Sequence, residues 1–130
     1  MLDKITTTFN KEFAFINRNF QIIPLSISEA YISIEDNVPN PGVYVFWKED
    51  RIIKVGRSFS NSRKRSLQHI RDNTSLGDVH MSELPDYAGP CGVVLINSRG
   101  EEHENDHWIS AIEVYLERQL DPVIRSKRKG

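Results

Sequence analysis

The feature that most constrains the fold is a pair of short runs of β-branched and aromatic residues near the middle of the chain. The first run covers residues 43–47 and the second covers residues 52–55, with Lys48-Glu49-Asp50-Arg51 between them. Such residues favour strands, and a short polar turn between two runs is typical of a β-hairpin. The hairpin would bring the triplets Gly42-Val43-Tyr44 and Lys54-Val55-Gly56 together on one small sheet.

Periodic apolar residues predict helices on both sides of this hairpin. Residues 3–20 carry apolar side chains largely at the spacing of one helix face, and residues 63–72 and 104–120 show the same pattern. The almost continuously apolar residues 91–96 predict a third, central strand. Residues 73–90 predict a long irregular connection with one turn of helix near Met81. Pro24 interrupts the N-terminal segment, after which a short helix or a strand is compatible with the sequence, a helix being favoured.

Length and composition predict one domain of ordinary globular type. The chain has 130 residues, of which 38% are hydrophobic and 27% charged, which suffices for one core. Turn-forming residues near position 40 divide a mostly helical N-terminal extension, residues 1–41, from a core at residues 42–125 and a basic tail at residues 126–130. With a single cysteine, no secretory signal pattern and no apolar run near the roughly 20 residues of a membrane span, we expect a cytoplasmic protein without a membrane partner.

Charge is sharply segregated along the chain, although the net charge is only -1. Residues 51–71 hold seven Lys or Arg and no Asp or Glu, whereas residues 72–121 hold eleven acidic residues against Arg99 and Arg118. A basic surface held on strands and a helix attracts polyanions, so nucleic acid is the expected partner. The candidate contact residues are Arg57, Arg63, Lys64, Arg71, Arg125, Lys127 and Arg128.

The acidic residue Glu113 stands out because it lies among the core positions of the C-terminal helix, next to Ile112. It is either an ordinary exposed glutamate or a carboxylate that projects into the basic region. In the second case it is a minimal anchor for hydrated Mg²⁺ or Mn²⁺, ions that neutralise charge during phosphodiester hydrolysis. On the helix after the hairpin, Arg65 and His69 are four residues apart and therefore project from the same face.

Taken in order, these residues resemble the GIY-YIG nuclease family. The resemblance spans residues 42–125 and consists of Gly42-Val43-Tyr44, Lys54-Val55-Gly56-Arg57-Ser58, Arg65 with His69, and Glu113 followed by Leu120 and Pro122. It implies an α/β fold of the α+β type, in which a small three-stranded antiparallel sheet is flanked by helices. It also implies a metal-dependent endonuclease that hydrolyses phosphodiester bonds of nucleic acid, with DNA the expected substrate, by a one-metal mechanism.

The resemblance assigns a role to each matching residue. Tyr44 would activate water as a general base, and His69 would accept the proton of Tyr44 or orient the water. Arg65 would bind the scissile phosphate, and Glu113 would hold the Mg²⁺ or Mn²⁺ ion. Lys54 replaces the second tyrosine of the motif, so it would contact phosphate or support Tyr44, or would mark a lost site.

Several alternatives stay open from the sequence. Arg63 could replace Arg65, because one extra residue separates the second triplet from the helix relative to the usual spacing. After Pro122 the family often has asparagine, where this chain has Arg125. The alternative function is a catalytically degenerate nucleic-acid-binding module, and a third is a protein-interaction domain whose Trp47 or Phe59 packs against a partner. Specificity would come from the N-terminal extension, the connection before the third strand, or a protein partner or second copy.

Overall fold

The structure of the protein is a computed structural model, which describes residues 1–100 and 103–126. The elements in chain order are α1 (Leu2–Phe13), a 3₁₀ helix (Ala14–Asn19), β1 (Phe20–Leu25), α2 (Ile27–Ile32), β2 (Gly42–Lys48), β3 (Arg51–Ser58), α3 (Ser62–Arg71), β4 (Ser75–Leu76), β5 (Val79–His80), a second 3₁₀ helix (Met81–Asp86), β6 (Cys91–Ser98) and α4 (Asp106–Leu120).

The predicted hairpin forms the centre of the fold. β2 pairs with β3 on one side and with β6 on the other, and both pairings are antiparallel. β1 pairs antiparallel with the far side of β6, so the strand order is β1-β6-β2-β3. The α+β class is confirmed, whereas the main sheet has four strands instead of the three that the sequence led us to expect.

The additional strand is β1, which lies in the N-terminal segment expected to be mostly helical. It contains Pro24, which lacks an N–H and cannot donate to a neighbouring strand. Proline is tolerated at the edge of a sheet, and in the described part of the chain β1 is an edge strand paired with β6. The residues before position 42 therefore contribute a strand to the central sheet as well as the helices α1 and α2.

Apolar side chains fill both faces of the sheet because successive strand residues point to opposite sides. On one face α1 and α4 cover Val43, Val45 and other residues of the central strands. On the other face α2, α3 and the second 3₁₀ helix cover Tyr44 and Phe46. The helices α3 and α4 therefore approach the hairpin from opposite faces, and both reach the edge formed by β3.

The position of α3 is fixed by a cap and by a buried asparagine. Asn61 caps the helix, its Oδ1 accepting the backbone N–H of Lys64 at 2.9 Å. Ser62 donates its hydroxyl to Oδ1 of Asn97 at 2.6 Å, and Nδ2 of Asn97 donates to the carbonyls of residues 37 and 38. Asn97 is fully buried, so it ties β6 to the start of α3 and to the turn before β2.

The connection between α3 and β6 is more regular than the sequence predicts. β4 and β5 form a two-stranded hairpin, and Gly77 in its turn has a φ of 60°, which glycine adopts without strain. The helical turn expected near Met81 is the second 3₁₀ helix. In residues 1–100 and 103–126, no helix has the length and apolarity needed to cross a membrane.

Candidate active site

A cleft of about 480 Å³ lies at the β3 edge of the sheet. Its walls come from β2, β3, α3, α4 and the segment that follows α4. It contains all five residues that the sequence suggested as catalytic, together with two of the candidate nucleic-acid contacts. These residues are Tyr44, Lys54, Arg57, Arg65, His69, Glu113 and Arg125.

Tyr44 and His69 form a hydrogen-bonded pair at the bottom of the cleft. The hydroxyl oxygen of Tyr44 lies 2.8 Å from Nε2 of His69, and the Tyr44 side chain is buried. Gly56 is directly opposite Tyr44 on the neighbouring strand. A Cβ atom at Gly56 would lie 2.3 Å from the tyrosine hydroxyl, so the glycine of the second triplet leaves the space that the tyrosine ring occupies.

The protonation of this pair is set by burial and by nearby cations. Burial, followed by the positive charges of Lys54 and Arg65, lowers the pKa of His69 to about 4. Burial also raises the pKa of the Tyr44 phenol far above its ordinary value, and the charge of Arg65 offsets part of that rise. Both side chains are therefore uncharged at neutral pH, and one nitrogen of His69 carries a proton while the other accepts a hydrogen bond.

Thr74 holds the second nitrogen of His69. Its hydroxyl oxygen lies 2.7 Å from Nδ1. Thr74 follows α3 in the connection for which the sequence indicated no regular structure, so its place beside His69 could not be inferred from periodicity. It also lines the cleft, which makes it the polar group that orients the imidazole ring.

Lys54 lies two residues before Gly56 in β3, so regular alternation places both residues on the face of Tyr44, and a β-bulge adjoins Lys54. The register of β2 and β3 shifts at this point, and Ile53 is the extra residue. Two consecutive residues of a bulged strand then oppose one residue of the partner strand, so Ile53 packs in the apolar cluster that contains Tyr44 while Lys54 lines the cleft. Lys54 is 7% exposed, and its charge acts on His69.

Glu113 is buried and paired with a cation, unlike most helix glutamates. Its Oε1 accepts a hydrogen bond from Nη1 of Arg57 at 2.7 Å, and 6% of its side chain is exposed against 33% for Arg57. The Arg57 guanidinium also lies over the ring of Phe59, 5.0 Å from its centroid. Arg57, expected as a nucleic-acid contact, therefore also orients the carboxylate that the sequence assigned to a metal ion.

The basic residues of α3 point in different directions. Arg65 lines the cleft beside His69. Arg63 instead donates from Nη1 to the backbone carbonyl of Ser33 at 2.6 Å. Of the two candidates for the phosphate-binding arginine, the geometry favours Arg65. A separate groove is lined by the remaining two basic residues, Lys64 and Arg71.

The segment after α4 closes the cleft along β3. Ile124 pairs in parallel with Lys54, and the backbone N–H of Ser126 donates to Oε2 of Glu117 at 2.9 Å. Glu117 is buried one helical turn after Glu113 in α4, a spacing that is visible in the sequence. Arg125 is brought to the rim of the cleft in this way. The predicted contacts Lys127 and Arg128 lie outside the described residues.

The donor chemistry of the cleft fits Mg²⁺ or Mn²⁺ anchored at a single carboxylate. Glu113 supplies a carboxylate to the cleft wall. The described residues contain no group of three or more His, Cys, Asp or Glu side chains that could hold a metal. Mg²⁺ commonly keeps several waters and binds through one or two carboxylates together with substrate phosphate, so the single carboxylate of Glu113 is compatible with such an ion.

No protein-family model matches the chain, and neither a curated protein nor a solved structure is significantly similar to it. What can be said of function comes from the chemistry of the cleft and from the order of its motifs along the chain.

Proposed function

We propose that the protein is a metal-dependent endonuclease that hydrolyses phosphodiester bonds of nucleic acid, with DNA as the expected substrate. The observation that carries this proposal is the presence of the Tyr44–His69 pair, Arg65 and Glu113 in one cleft. Hydrolysis of a phosphodiester requires a proton acceptor, a cation that binds the phosphate, and stabilisation of the charge that develops on it. The groups proposed for these three tasks come from three elements of the fold: Tyr44 from β2, His69 and Arg65 from α3, and Glu113 from α4.

The proton acceptor is best described as the Tyr44–His69 pair. Because the pKa of Tyr44 is raised, the phenol is not ionised before water attacks. Its oxygen can take a proton from water while its own proton passes to Nε2 of the neutral His69, 2.8 Å away. In this arrangement Nδ1 of His69 carries a proton and donates it to the hydroxyl oxygen of Thr74, which can accept it.

Two cations are placed to bind the scissile phosphate. Arg65 offers a planar guanidinium, which can donate two parallel hydrogen bonds to phosphate oxygens. Lys54 offers a compact ammonium group from a mostly buried position, where its charge is less screened by water. Both charges would stabilise the additional negative charge of the transition state more than that of the bound substrate.

Glu113 would hold the Mg²⁺ or Mn²⁺ ion. A bound ion would supply neutralisation of the charge that develops on the phosphate oxygens. Arg57 keeps Oε1 of Glu113 oriented through the 2.7 Å ion pair, so we assign it as a positioning residue.

Plasmid cleavage with Mg²⁺ tests this function. The variants to compare are Glu113→Gln, which keeps an oxygen that accepts from Arg57 but removes the charge, and Glu83→Gln, which alters an exposed carboxylate. We expect Glu113→Gln to lower the cleavage rate by about 100-fold or more, the scale at which loss of one transition-state-stabilising group is felt. Glu83→Gln should cleave at the parent rate, and chelation by EDTA should abolish cleavage.

The other outcomes identify other functions. Equal cleavage by the parent protein and by Glu113→Gln would refute the role of this carboxylate. If the parent binds nucleic acid with an affinity that falls steeply with salt, but does not cleave it, the function is the nucleic-acid-binding module without catalysis. The presence of Lys54 in place of the second motif tyrosine favours this alternative. If the parent neither binds nor cleaves nucleic acid, the remaining function is the protein-interaction domain that uses Trp47 or Phe59.

A further inference from the structure

A second surface, on a different face of α3 from the cleft, carries a cluster of exposed apolar side chains. Tyr31 is 50% exposed, Ile32 76% and Ile34 98%. In the described part of the chain, these are three of the six large hydrophobic residues that are exposed. Isolated exposed apolar residues are common on soluble proteins, whereas a cluster marks an interaction site.

Tyr31 faces a basic groove. It lines a space of about 430 Å³ together with residues of α3, namely Lys64, Leu67, Gln68 and Arg71. Among the residues that the structure describes, no acidic one lines this groove. Arg71 forms an ion pair at 3.2 Å with the adjacent Asp72, and both side chains are more than half exposed. Such a surface pair contributes only about 0–1 kcal/mol, so Arg71 can turn to a phosphate.

The groove is held in a fixed shape. Ser26 and Glu29 form a reciprocal capping box at the start of α2, and Ala30, the residue before Tyr31, is fully buried. At the end of this helix the carbonyl of Ser33 accepts the hydrogen bond from Arg63 of α3. Tyr31 is therefore presented at a fixed place relative to α3, with its ring partly open to solvent.

We propose that this groove binds an unpaired stretch of nucleic-acid strand, with one base stacked on Tyr31 and the flanking phosphates bound by Lys64 and Arg71. This inference rests on the proposed nucleic-acid function and specifies its substrate class. An aromatic ring beside cations suits a base and its phosphates, and the absence of carboxylates from the groove lining favours a polyanion over a peptide. A base inside a duplex has no free face to stack on the ring, so the strand must be unpaired there.

The groove and the cleft can take the same strand. Arg65 and Lys64 are consecutive residues of α3, and one lines the cleft while the other lines the groove. A helix with its side chains is about 10–12 Å across, so only a few nucleotides of strand would separate the base on Tyr31 from the phosphate at Arg65. The favoured substrate is a duplex with a single-stranded extension or branch close to the cleavage site.

Binding without divalent ions tests the inference separately from catalysis. Fluorescence anisotropy in EDTA would compare a blunt duplex, the same duplex with a short single-stranded extension, and that extension with abasic sites in place of its bases. The proteins are the parent, Tyr31→Ala, Tyr31→Phe, Lys64→Ala and Lys11→Ala. Lys11 is an exposed lysine of α1, which packs on the opposite face of the sheet, and serves as the matched control for Lys64.

We expect Tyr31→Ala to weaken binding of the extended duplex by about 5-fold or more, the loss that corresponds to one aromatic stack. Tyr31→Phe should retain the parent affinity. Neither substitution at Tyr31 should change binding to the blunt duplex or to the abasic extension. Lys64→Ala should weaken binding of the extended duplex, whereas Lys11→Ala should not.

The opposite results are equally distinct. If the parent binds nucleic acid but Tyr31→Ala binds every ligand with parent affinity, the groove inference is wrong while the proposed function stands. If the parent binds none of the three ligands at low salt, both are wrong. If sedimentation shows a parent dimer that Tyr31→Ala dissociates, while nucleic-acid affinity is unchanged, the surface is a contact between copies instead.

Discussion

Replacing Gly56 by alanine tests whether the second triplet exists to make room for Tyr44. The added Cβ atom would lie 2.3 Å from the hydroxyl oxygen of Tyr44 and 2.4 Å from its Cζ atom. Comfortable contacts between such atoms are about 3.5–4.0 Å. The ring would therefore have to move by more than about 1 Å, and the 2.8 Å hydrogen bond to His69 would break.

The expected loss of stability follows from these contacts. Overpacking a well-filled interior costs about 1–3 kcal/mol, and the lost hydrogen bond of a buried pair adds about 1 kcal/mol. We expect the free energy of unfolding of Gly56→Ala to fall by about 2–4 kcal/mol. For a domain of this size the melting temperature should fall by about 8–15 °C.

Urea and thermal denaturation followed by circular dichroism measure this loss. Gly89→Ala is the matched control, because its Cβ would meet the movable side-chain ends of Glu49 and Tyr87 and should cost little. Gly56→Ala should also cost little in a Tyr44→Ala background, giving an interaction energy of about 1–3 kcal/mol in the double-mutant cycle. Parent stability for Gly56→Ala, or additive effects of the two substitutions, would refute the proposed fit between Gly56 and Tyr44.

Three further predictions concern buried polar groups. A His69 pKa of about 4 in the folded protein, below the ordinary 6.5, means that the unfolded chain takes up the proton first. The free energy of unfolding should therefore fall by about 1–2 kcal/mol, after screening by solvent in the cleft, as the pH decreases from 6.5 to about 4. Urea denaturation midpoints of His69→Gln, measured over the same pH range, should not show this decrease. Asn97→Ala, which leaves three hydrogen-bond partners unsatisfied, should lower the free energy of unfolding by about 3 kcal/mol or more, against little change for the exposed Asn17→Ala. Lys54→Met should raise the pKa of His69, measured by NMR titration of the imidazole, whereas Lys48→Met should not; an unchanged value would show that the two groups do not interact.

The elements that could be predicted from sequence are those whose patterns are local. Runs of β-branched and aromatic residues on either side of a polar turn predicted the hairpin, and apolar residues at helical spacing predicted α3 and α4. The end of α4 before Pro122 follows from the inability of proline to continue a helix. The order of motifs along these elements led us to propose Tyr44, Arg65, His69 and Glu113 as site residues, and the structure brings the four into one cleft.

The parts that could not be predicted depend on pairing between distant segments. β1 contains a proline and becomes a strand only because β6 offers it an edge. Thr74 reaches His69 because a two-stranded hairpin follows α3. The bulge that places Ile53 on the same side of the sheet as Lys54 is a mismatch between two strands, which neither strand displays alone. Burial of Glu113 likewise depends on its partner Arg57, from a strand far away in sequence.

The charges around His69 indicate how the cleft could link base strength to substrate binding. Burial, followed by the charges of Lys54 and Arg65, lowers the pKa of His69, so the imidazole of the free protein is a weak proton acceptor. The same two cations are those that would contact the scissile phosphate. A bound phosphodiester carries a negative charge that offsets their field at His69 and raises the pKa of the imidazole. The Tyr44–His69 pair would then accept the proton of the attacking water more readily when substrate is present, which gives a physical reason for a lysine, rather than a second phenol, at position 54.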